Sequence, residues 1–240
     1  MTEQSELVLR ELDGLSEMKA SEDFQRLVWG EDDPADNADL LLSIQHEGGL
    51  VAGAFLGDRM LGFLFGFPSS ETGIQHSHRL AVHADSRGMG LGRRLKWFQR
   101  DWCLARGITL VRWTYDPLRR INATLNIERL GATAGIYHED YYGTMQGINA
   151  GIPSDRLVAE WDLESRNVCS LSETGRRVMQ PELVETVEIP RDLDELLAAN
   201  PQSALDERLN VRAALTSAFK RGLRITGFDA KHNCYRLTRK

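Results

Sequence analysis

The chain has 240 residues, of which 42% are hydrophobic and 27% are charged, and its formal net charge is -6. This composition is ordinary for a folded globular protein, and the length fits one domain, or one domain with a smaller annex. The acidic balance argues against a general nucleic-acid-binding domain, and no run approaches the ~18 apolar residues that a membrane span needs.

The first residues and the cysteines indicate the compartment. The first ten residues are polar and acidic, so they do not resemble a secretory signal. The three cysteines, at positions 103, 169 and 234, are far apart and odd in number, which favours reduced thiols over a disulfide framework. We therefore expect a cytoplasmic protein.

The first part of the chain alternates between strand-like and helix-like apolar patterns, separated by glycine, proline and acidic residues. In chain order the patterns predict a strand at 6–12, helices at 16–27 and 36–46, strands at 50–56, 60–67 and 78–82, and a helix at 91–104. Residues 57–59, between the two most apolar strands, predict a hairpin.

The middle of the chain continues this alternation. A buried strand is predicted at 108–115, and Asp116-Pro117 then opens a helix that runs to Leu130. Strands follow at 132–137 and 157–163, joined by a long loop at 138–154 that is rich in aromatic residues and glycine.

The last part of the chain is predicted to be a separate segment. Residues 164–183 are polar and lack a clear period, which is typical of a linker. Beyond them the patterns predict a strand at 184–189, helices at 192–199 and 201–221, and a hairpin of strands at 224–228 and 235–237. This segment is either an incomplete copy of the first elements, or an α+β appendage that packs on the first sheet or forms a dimer contact.

A glycine-rich turn between the strand at 78–82 and the helix at 91–104 is the most informative motif. It reads Arg-Gly-Met-Gly-Leu-Gly from Arg87 to Gly92. Glycines allow a ligand to approach the backbone, and the free N–H groups and dipole of the following helix favour an anion. Residues 87–100 carry five basic side chains and no acidic one, which indicates either a bound polyanion or a solvated basic face.

The turn resembles the acyl-CoA-binding turn of the GNAT superfamily of N-acyltransferases, which reads Arg/Gln-x-x-Gly-x-Gly/Ala. The matching positions are Arg87, Gly90 and Gly92, whereas the Rossmann and Walker patterns are not met. The resemblance implies that backbone N–H groups hold the CoA pyrophosphate, and that the preceding strand pairs with the pantetheine arm. The cofactor-binding residues it implies are Leu80, Ala81, Val82, Arg87, Gly88, Met89, Gly90, Leu91, Gly92 and Arg93.

The predicted order of elements over residues 6–163 also matches the GNAT fold. The fold class expected is a mixed α/β (α+β) protein with a twisted, mostly antiparallel sheet, in which strands four and five splay apart between flanking helices. The expected organisation is an acyltransferase domain at 1–163, a linker at 164–183 and a C-terminal β-α-α-β-β extension at 184–240.

The helix that follows strand five departs from the family pattern. GNAT proteins often carry Asn-x-x-Ala-x-x-x-Tyr-Glu-Lys-x-Gly-Phe there, and in this chain Ile127 stands where the pattern has the tyrosine usually assigned as general acid. The acid is then another tyrosine, a water or no group at all. Asn122 and Asn126, four residues apart, are predicted either to bind the pantetheine amides or the acyl group, or to face solvent.

Three residues are candidates for catalysis of acyl transfer. Tyr137 and Tyr141 belong to an aromatic and acidic cluster at 137–142, where the resemblance places the acceptor loop. Glu160 lies beside Trp161 on the last strand and is a candidate general base. The alternatives are a surface turn with packed aromatic rings for the cluster, and an outward polar position for Glu160. His76 and His78 lack a third ligand pattern, so no metal is expected.

The resemblance implies an enzyme that transfers an acyl group from acyl-CoA, with acetyl-CoA or succinyl-CoA as co-substrate, to the amine of a small metabolite such as an amino acid. A succinyl group would favour an arginine near the acyl pocket, for which Arg79, Arg112 and Arg120 are candidates. No nucleic acid or membrane partner is expected, and a homodimer is left open. The alternatives are a non-catalytic CoA-binding module and a structural protein.

Overall fold

The computed structural model describes residues 6–86, 88–143 and 152–239. The chain forms two compact units, Met1–Val111 and Arg112–Lys240, and the division falls within one strand, β5 (Leu110–Tyr115). Of the helices in the described ranges, none combines the length and apolar character that crossing a membrane requires.

The first unit contains a four-stranded antiparallel sheet with helices on both faces. The strands lie in the order β1-β2-β3-β4, and three helices pack on them. The elements are β1 (Leu7–Glu11), α1 (Gly14–Trp29), α2 (Ala38–His46), β2 (Leu50–Leu56), β3 (Arg59–Pro68), β4 (Ile74–Val82) and α3 (Leu91–Leu104).

Alternation along β3 explains how the two faces of this sheet are covered. Phe63 and Phe65 join the apolar core that α1 and α2 cover. Gly62 and Leu64 point to the opposite face because successive side chains of a strand alternate. There a Cβ on Gly62 would lie 2.8 Å from a methyl carbon of Leu95 in α3. Since both faces are buried, β3 reads as a nearly continuous apolar run.

In the described residues of the second unit, six strands lie in the order β5-β7-β6-β9-β10-β8. The pairs β6–β7, β9–β10 and β8–β10 are antiparallel. Besides β5, its elements are α4 (Arg120–Ala123), a π-helical turn (Thr124–Arg129), β6 (Thr133–His138), β7 (Arg156–Asp162), α5 (Arg166–Thr174), β8 (Glu185–Glu188), α6 (Leu193–Ala199), α7 (Pro201–Lys220), β9 (Leu223–Asp229) and β10 (Cys234–Arg239).

Most elements predicted from the sequence are confirmed, with ends displaced by a few residues. The helix at 91–104 has the predicted bounds, and β4 begins four residues earlier than expected, at Ile74. Side chains that cap helices explain several of the starts: Asn37, Asp192 and Asn200 each accept hydrogen bonds from N–H groups in the first turn of α2, α6 and α7.

The predicted start of the helix at Asp116-Pro117 is wrong, because the helix begins at Arg120. The Asp116 carboxylate accepts a hydrogen bond from the Leu118 N–H, and its two oxygens accept from the guanidinium of Arg208. The carboxylate is therefore engaged in a turn and an ion pair before the helix starts. The second half of the predicted helix is π-helical.

The stretch at 164–183 was predicted to be an irregular linker, but it contains a helix, α5. The Ser165 side chain caps its start, and Gly175 ends it in the left-handed conformation, with φ of 70°. Only Val168 and Leu171 of this helix are buried, so its apolar period is too short to recognise. Both lie against Gly131, where a Cβ would be 2.8 Å from a Leu171 methyl carbon.

The strands predicted for the C-terminal extension lie in the same sheet as β5, β7 and β6. In that sheet β9 is the neighbour of β6, with Ala134 opposite Ile225. The domain boundaries at 163 and 184 remain a prediction.

Candidate active site

The glycine-rich turn connects β4 to α3 through two glycines with positive φ. Gly88 has φ of 84°, and Gly90, at the N-cap of α3, has φ of 66° and ψ of 22°. A Cβ added at either glycine would meet no heavy atom of the described residues within 4 Å. Glycine is therefore favoured here by the left-handed backbone rather than by crowding. Arg87, the first residue of the motif, lies outside the described residues.

The start of α3 presents an exposed backbone N-terminus. Among the described residues, no side chain caps it, and its first turn contains no acidic residue. The first N–H groups of a helix have no acceptor within the helix, so those near Gly92 and Arg93 are available to an anion. Met89 and Arg93 are exposed, whereas Leu91 is buried and anchors the turn on the sheet. The arrangement can bind a phosphate group.

The strand that leads to the turn carries a β-bulge. Phe65 pairs with Arg79, and Gly66 pairs with Ser77, so His78 is an extra residue of β4. Bulges bend a strand and are over-represented next to active sites. Beyond the bulge, the predicted pantetheine-binding residues continue directly to the turn, with Ala81 buried and two half-buried neighbours. These residues are Leu80, Ala81 and Val82.

A buried polar network lies between α3 and β4, and the sequence reasoning missed it. Lys96 Nζ donates to Ser77 Oγ at 3.0 Å and to Gln99 Oε1 at 2.8 Å, and Gln99 donates to Gln75 Oε1 at 2.6 Å. Burial lowers the pKa of Lys96 to about 7. Lys96 is one of the five basic residues of the stretch 87–100, but Gln99 and the buried Cys103 follow it by three and seven residues, a spacing that indicates the inner face of the helix.

The two histidines of β4 belong to a row of aromatic rings. His78 lies 5.1 Å from the Phe65 ring centroid, and His76 lies 5.0 Å from that of Phe67. In the ranges that the structure describes, no group of three or more histidine, cysteine or acidic side chains could hold a metal ion.

The asparagines predicted to bind the cofactor lie in the second unit, at the change from α-helix to π-helix. Asn122 is half-buried in α4, and Asn126 is buried in the π-helical turn. Short π-helical turns are frequent at functional sites. Ile127, at the position of the family's usual tyrosine, is fully buried, and its carbonyl oxygen accepts a hydrogen bond from Arg177.

The hydroxyl of Tyr137 is bound to a buried carboxylate. It donates to Asp155 Oδ2 at 2.6 Å, and the Arg212 guanidinium donates to both oxygens of the same carboxylate. Burial and the hydrogen bond to Asp155 raise the pKa of Tyr137 well above its usual value. In this arrangement the Tyr137 hydroxyl keeps its proton in the hydrogen bond to Asp155, so Tyr137 is a weak general acid.

Tyr141 is more accessible than Tyr137. Half of its surface is exposed, and its ring stacks on His138 at 4.9 Å and meets Tyr142 edge-on at 4.8 Å. The Tyr142 hydroxyl lies 3.2 Å from Thr114 Oγ1 on β5. These rings form the described part of the predicted acceptor loop.

Glu160 is not brought next to the tyrosines. It forms an ion pair with Arg224 of β9 at 2.7 Å. Its partner on β6 is Thr133, whereas the partner of Tyr137 is Leu157, three residues along β7, which separates the two positions by roughly 10 Å. The three catalytic candidates therefore do not form one acid–base group, and their roles remain predictions.

Comparisons with known proteins bear on the fold. Residues 16–124 match the family model described as the acetyltransferase (GNAT) family. That segment includes the glycine-rich turn and Asn122 and ends before Asn126, Tyr137 and Glu160. None of the curated proteins compared with the chain matches it.

Three solved structures illustrate the likeness. The ribosomal-protein-S18-alanine N-acetyltransferase from Escherichia coli is 18% identical, with a TM-score of 0.55 over 67% of this chain and 96% of its own. The aminoglycoside 6'-acetyltransferase type Ii is 18% identical, with a TM-score of 0.55 over 66% and 99%. The protein yncA from Salmonella typhimurium, solved with acetyl-CoA, is 19% identical, with a TM-score of 0.53 over 67% and 96%.

At these identities the solved structures establish the fold alone, and they confirm the predicted GNAT-like α+β class. Residues 16–124, fewer than half of the 240 residues, are in addition similar in sequence to the acetyltransferase (GNAT) family, whose model they match.

Proposed function

We propose that this protein is an N-acetyltransferase that uses acetyl-CoA and acylates a small amine, such as an amino acid. One observation carries the proposal: the bulged strand β4 leads through two positive-φ glycines into the basic N-terminus of α3, which no described side chain caps. A strand followed by an anion-binding turn suits a ligand with an amide arm and a pyrophosphate.

The residues of the first unit would hold the co-substrate. The backbone N–H groups of Gly88 and of residues 90–93 would bind the pyrophosphate, whereas that of Met89 donates to the Ser86 carbonyl oxygen at 3.3 Å. The β4 backbone near Leu80 and Val82 would bind the pantetheine amides. Acetyl-CoA, when bound, supplies an activated thioester. A β4 N–H group near the bulge is suited to stabilise the oxyanion that develops during attack, because backbone donors are fixed in place beforehand.

The acceptor amine must be neutral to attack, and the protein must receive its proton. Of the three candidates, Tyr141 is the most exposed, whereas Tyr137 is bound to Asp155 and Glu160 to Arg224. We therefore assign the contact with the acceptor to Tyr141 and give Tyr137 a supporting role. A thiolate is a tolerable leaving group, so the loss of the usual tyrosine at Ile127 is compatible with catalysis.

Two of the arginines considered for a succinyl group are engaged elsewhere. Arg79 forms ion pairs with Asp33 and Asp36, and Arg120 donates to the Ala230 carbonyl oxygen at 3.1 Å. This favours an uncharged acyl group and hence acetyl-CoA. The net charge of -6 favours a cationic amine over an acidic acceptor.

Thermal unfolding with CoA, acetyl-CoA, succinyl-CoA, ATP and NAD tests the binding. Ligand at a hundred times its dissociation constant stabilises a protein by about 2.7 kcal/mol, which corresponds to several degrees at this length. We expect a shift with the CoA compounds and none with NAD. The absence of a shift with every CoA compound would reject the proposal.

Release of CoA thiol from acetyl-CoA then tests catalysis, with the amino acids, spermidine, kanamycin and a peptide with N-terminal alanine as acceptors. We expect turnover with a small amine. Binding of acetyl-CoA without thiol release for any amine would instead support the non-catalytic module, which the isoleucine at position 127 favours. Faster release from succinyl-CoA would correct the acyl donor.

A further inference from the structure

We infer that Arg212 of the C-terminal helix α7 is a positioning residue for the acceptor amine, because it holds the stems of the loop between β6 and β7. The inference rests on the proposed function and assigns part of the acceptor site to the segment that follows residue 184. The described stems of this loop are residues 138–143 and 152–155.

A single buried carboxylate joins α7 to the loop. Asp155 is 0% exposed and accepts four hydrogen bonds. Two come from Arg212, from Nε at 2.9 Å and Nη2 at 2.6 Å, one from the Tyr137 hydroxyl at 2.6 Å, and one from the Asp140 N–H at 3.0 Å. Arg212 also donates to Glu139 at 3.2 Å. The arginine thus supplies the positive charge that lets Asp155 remain ionised inside the protein.

A second set of hydrogen bonds ties the two stems together. Asp140, with φ of 43°, accepts hydrogen bonds through its carboxylate from the N–H and the hydroxyl of Ser154. In return, Ser154 accepts from the N–H groups of Tyr141 and Tyr142 at 3.1 and 2.9 Å. The position of Tyr141 therefore depends on Asp140, which in turn is held by Asp155.

The rest of α7 is held independently of this network. Arg208 forms a buried pair with Asp116, and Val211, Leu215 and Ala218 are buried along the same helix. Loss of the Arg212 guanidinium should therefore leave α7 in place and loosen the stem that carries Tyr141. Because a displacement of about 1 Å at a reacting group can cost about a hundredfold in rate, a shifted Tyr141 should slow the acylation of the acceptor strongly.

Steady-state kinetics of the full-length protein test the role, with the fastest amine of the screen as acceptor. We expect Arg212→Met to lower kcat/KM for that amine by roughly ten- to a hundredfold and to leave the KM for acetyl-CoA nearly unchanged. Arg212→Lys keeps the charge but loses the bidentate hydrogen bonding to Asp155, so its kcat/KM for the amine should lie between those of wild type and Arg212→Met. Arg221→Met is the matched control, because Arg221 ends the same helix and pairs with Glu185 at an exposed site.

Tyr137→Phe provides a second variant that keeps the ring and removes one hydrogen bond to Asp155. It should lower the same kcat/KM by a smaller factor, and it can be measured even if Arg212→Met fails to fold. If Arg212→Met folds and its kcat/KM for the amine is unchanged, the role of Arg212 is overturned. If Arg212→Met does not fold, an unchanged kcat/KM in Tyr137→Phe overturns that role instead. Wild-type protein that acylates no amine would overturn both the role and the proposed function.

Discussion

Lys96 is a lysine that the fold accommodates in its neutral form. It is 2% exposed, and burial lowers its pKa to about 7, whereas an unfolded lysine has a pKa of about 10.4. Between these values the unfolded chain binds one more proton than the folded chain. The contribution of Lys96 to stability is therefore fully present above about pH 10.4 and is lost as the pH falls through about 7.

We expect the free energy of unfolding of wild type, relative to Lys96→Met, to rise between pH 7.5 and 10 by about 1 kcal/mol per pH unit. Urea unfolding at several pH values measures it. Lys19→Met, at an exposed position of α1, should follow wild type. Parallel pH profiles for wild type and Lys96→Met would contradict a neutral buried amine.

Residue-level predictions from the sequence succeeded where the signal is local. A glycine-rich turn was predicted between a strand and a helix, and the structure has it there, with positive φ at Gly88 and Gly90. The engagement of Tyr137 with Asp155 and Arg212 could not be predicted, because its partners are 18 and 75 positions away and no periodic pattern connects them. The basic stretch at 87–100 does not lie on one exposed face, because Lys96 is buried on the side of α3 that carries Gln99 and Cys103.

At the level of elements, the glycine-rich turn allows binding to be separated from stability. Gly88, Gly90 and Gly175 have φ of 84°, 66° and 70°, and none would bring a Cβ within 4 Å of a described heavy atom. Alanine at each position should therefore cost a similar strain, about 1–2 kcal/mol. Only the first two glycines belong to the turn before α3, since Gly175 ends α5.

We expect Gly88→Ala and Gly90→Ala to weaken CoA binding about tenfold or more, since the shifted backbone misaligns the N–H donors. Gly175→Ala should lose comparable stability and keep its affinity. Titration calorimetry with CoA and thermal unfolding measure the two quantities. Equal affinity in all three variants would show that the turn does not bind the pyrophosphate.

The predictions of elements, like those of residues, succeeded where the signal is local in the sequence. The bounds of α3 were predicted because Leu91, Leu95 and Trp102 repeat at helical spacing within one segment. The start of α4 was not predicted, because Arg208, 92 positions later, binds the carboxylate that the local pattern assigns to a cap. The π-helical turn could not be predicted from the sequence, because it does not change the spacing of apolar residues in a recognisable way.

At the scale of the molecule, the buried pair of Asp116 and Arg208 joins the end of β5 to α7. Arg208 is fully buried and donates to both carboxylate oxygens, at 2.8 and 2.7 Å. Arg208→Met leaves a buried carboxylate without its counter-charge, so we expect it to lower the free energy of unfolding by about 3–5 kcal/mol. Urea unfolding measures the change.

The matched comparison is the double variant Asp116→Asn with Arg208→Met, which removes both charges and should recover much of the loss. Arg221→Met, at an exposed ion pair, should cost less than about 1 kcal/mol. A loss in the double variant as large as in Arg208→Met would mean that packing, and not charge, accounts for the effect.

The boundary predicted at residue 163 separates segments that share one sheet, and truncation tests whether they are independent. A fragment of residues 1–163 leaves the edge of β6 without β9, deprives Asp116 of Arg208, and removes the Tyr235 hydroxyl that donates to the Pro117 carbonyl oxygen at 2.8 Å. An exposed strand edge beside unpaired buried groups favours aggregation. We therefore expect the fragment to be insoluble, or soluble without a cooperative thermal transition, and to be rescued by co-expression of residues 164–240.

A fragment that unfolds cooperatively alone and binds CoA would instead establish the acyltransferase domain at 1–163. The strands that follow residue 163 would then extend the sheet without being needed for its folding.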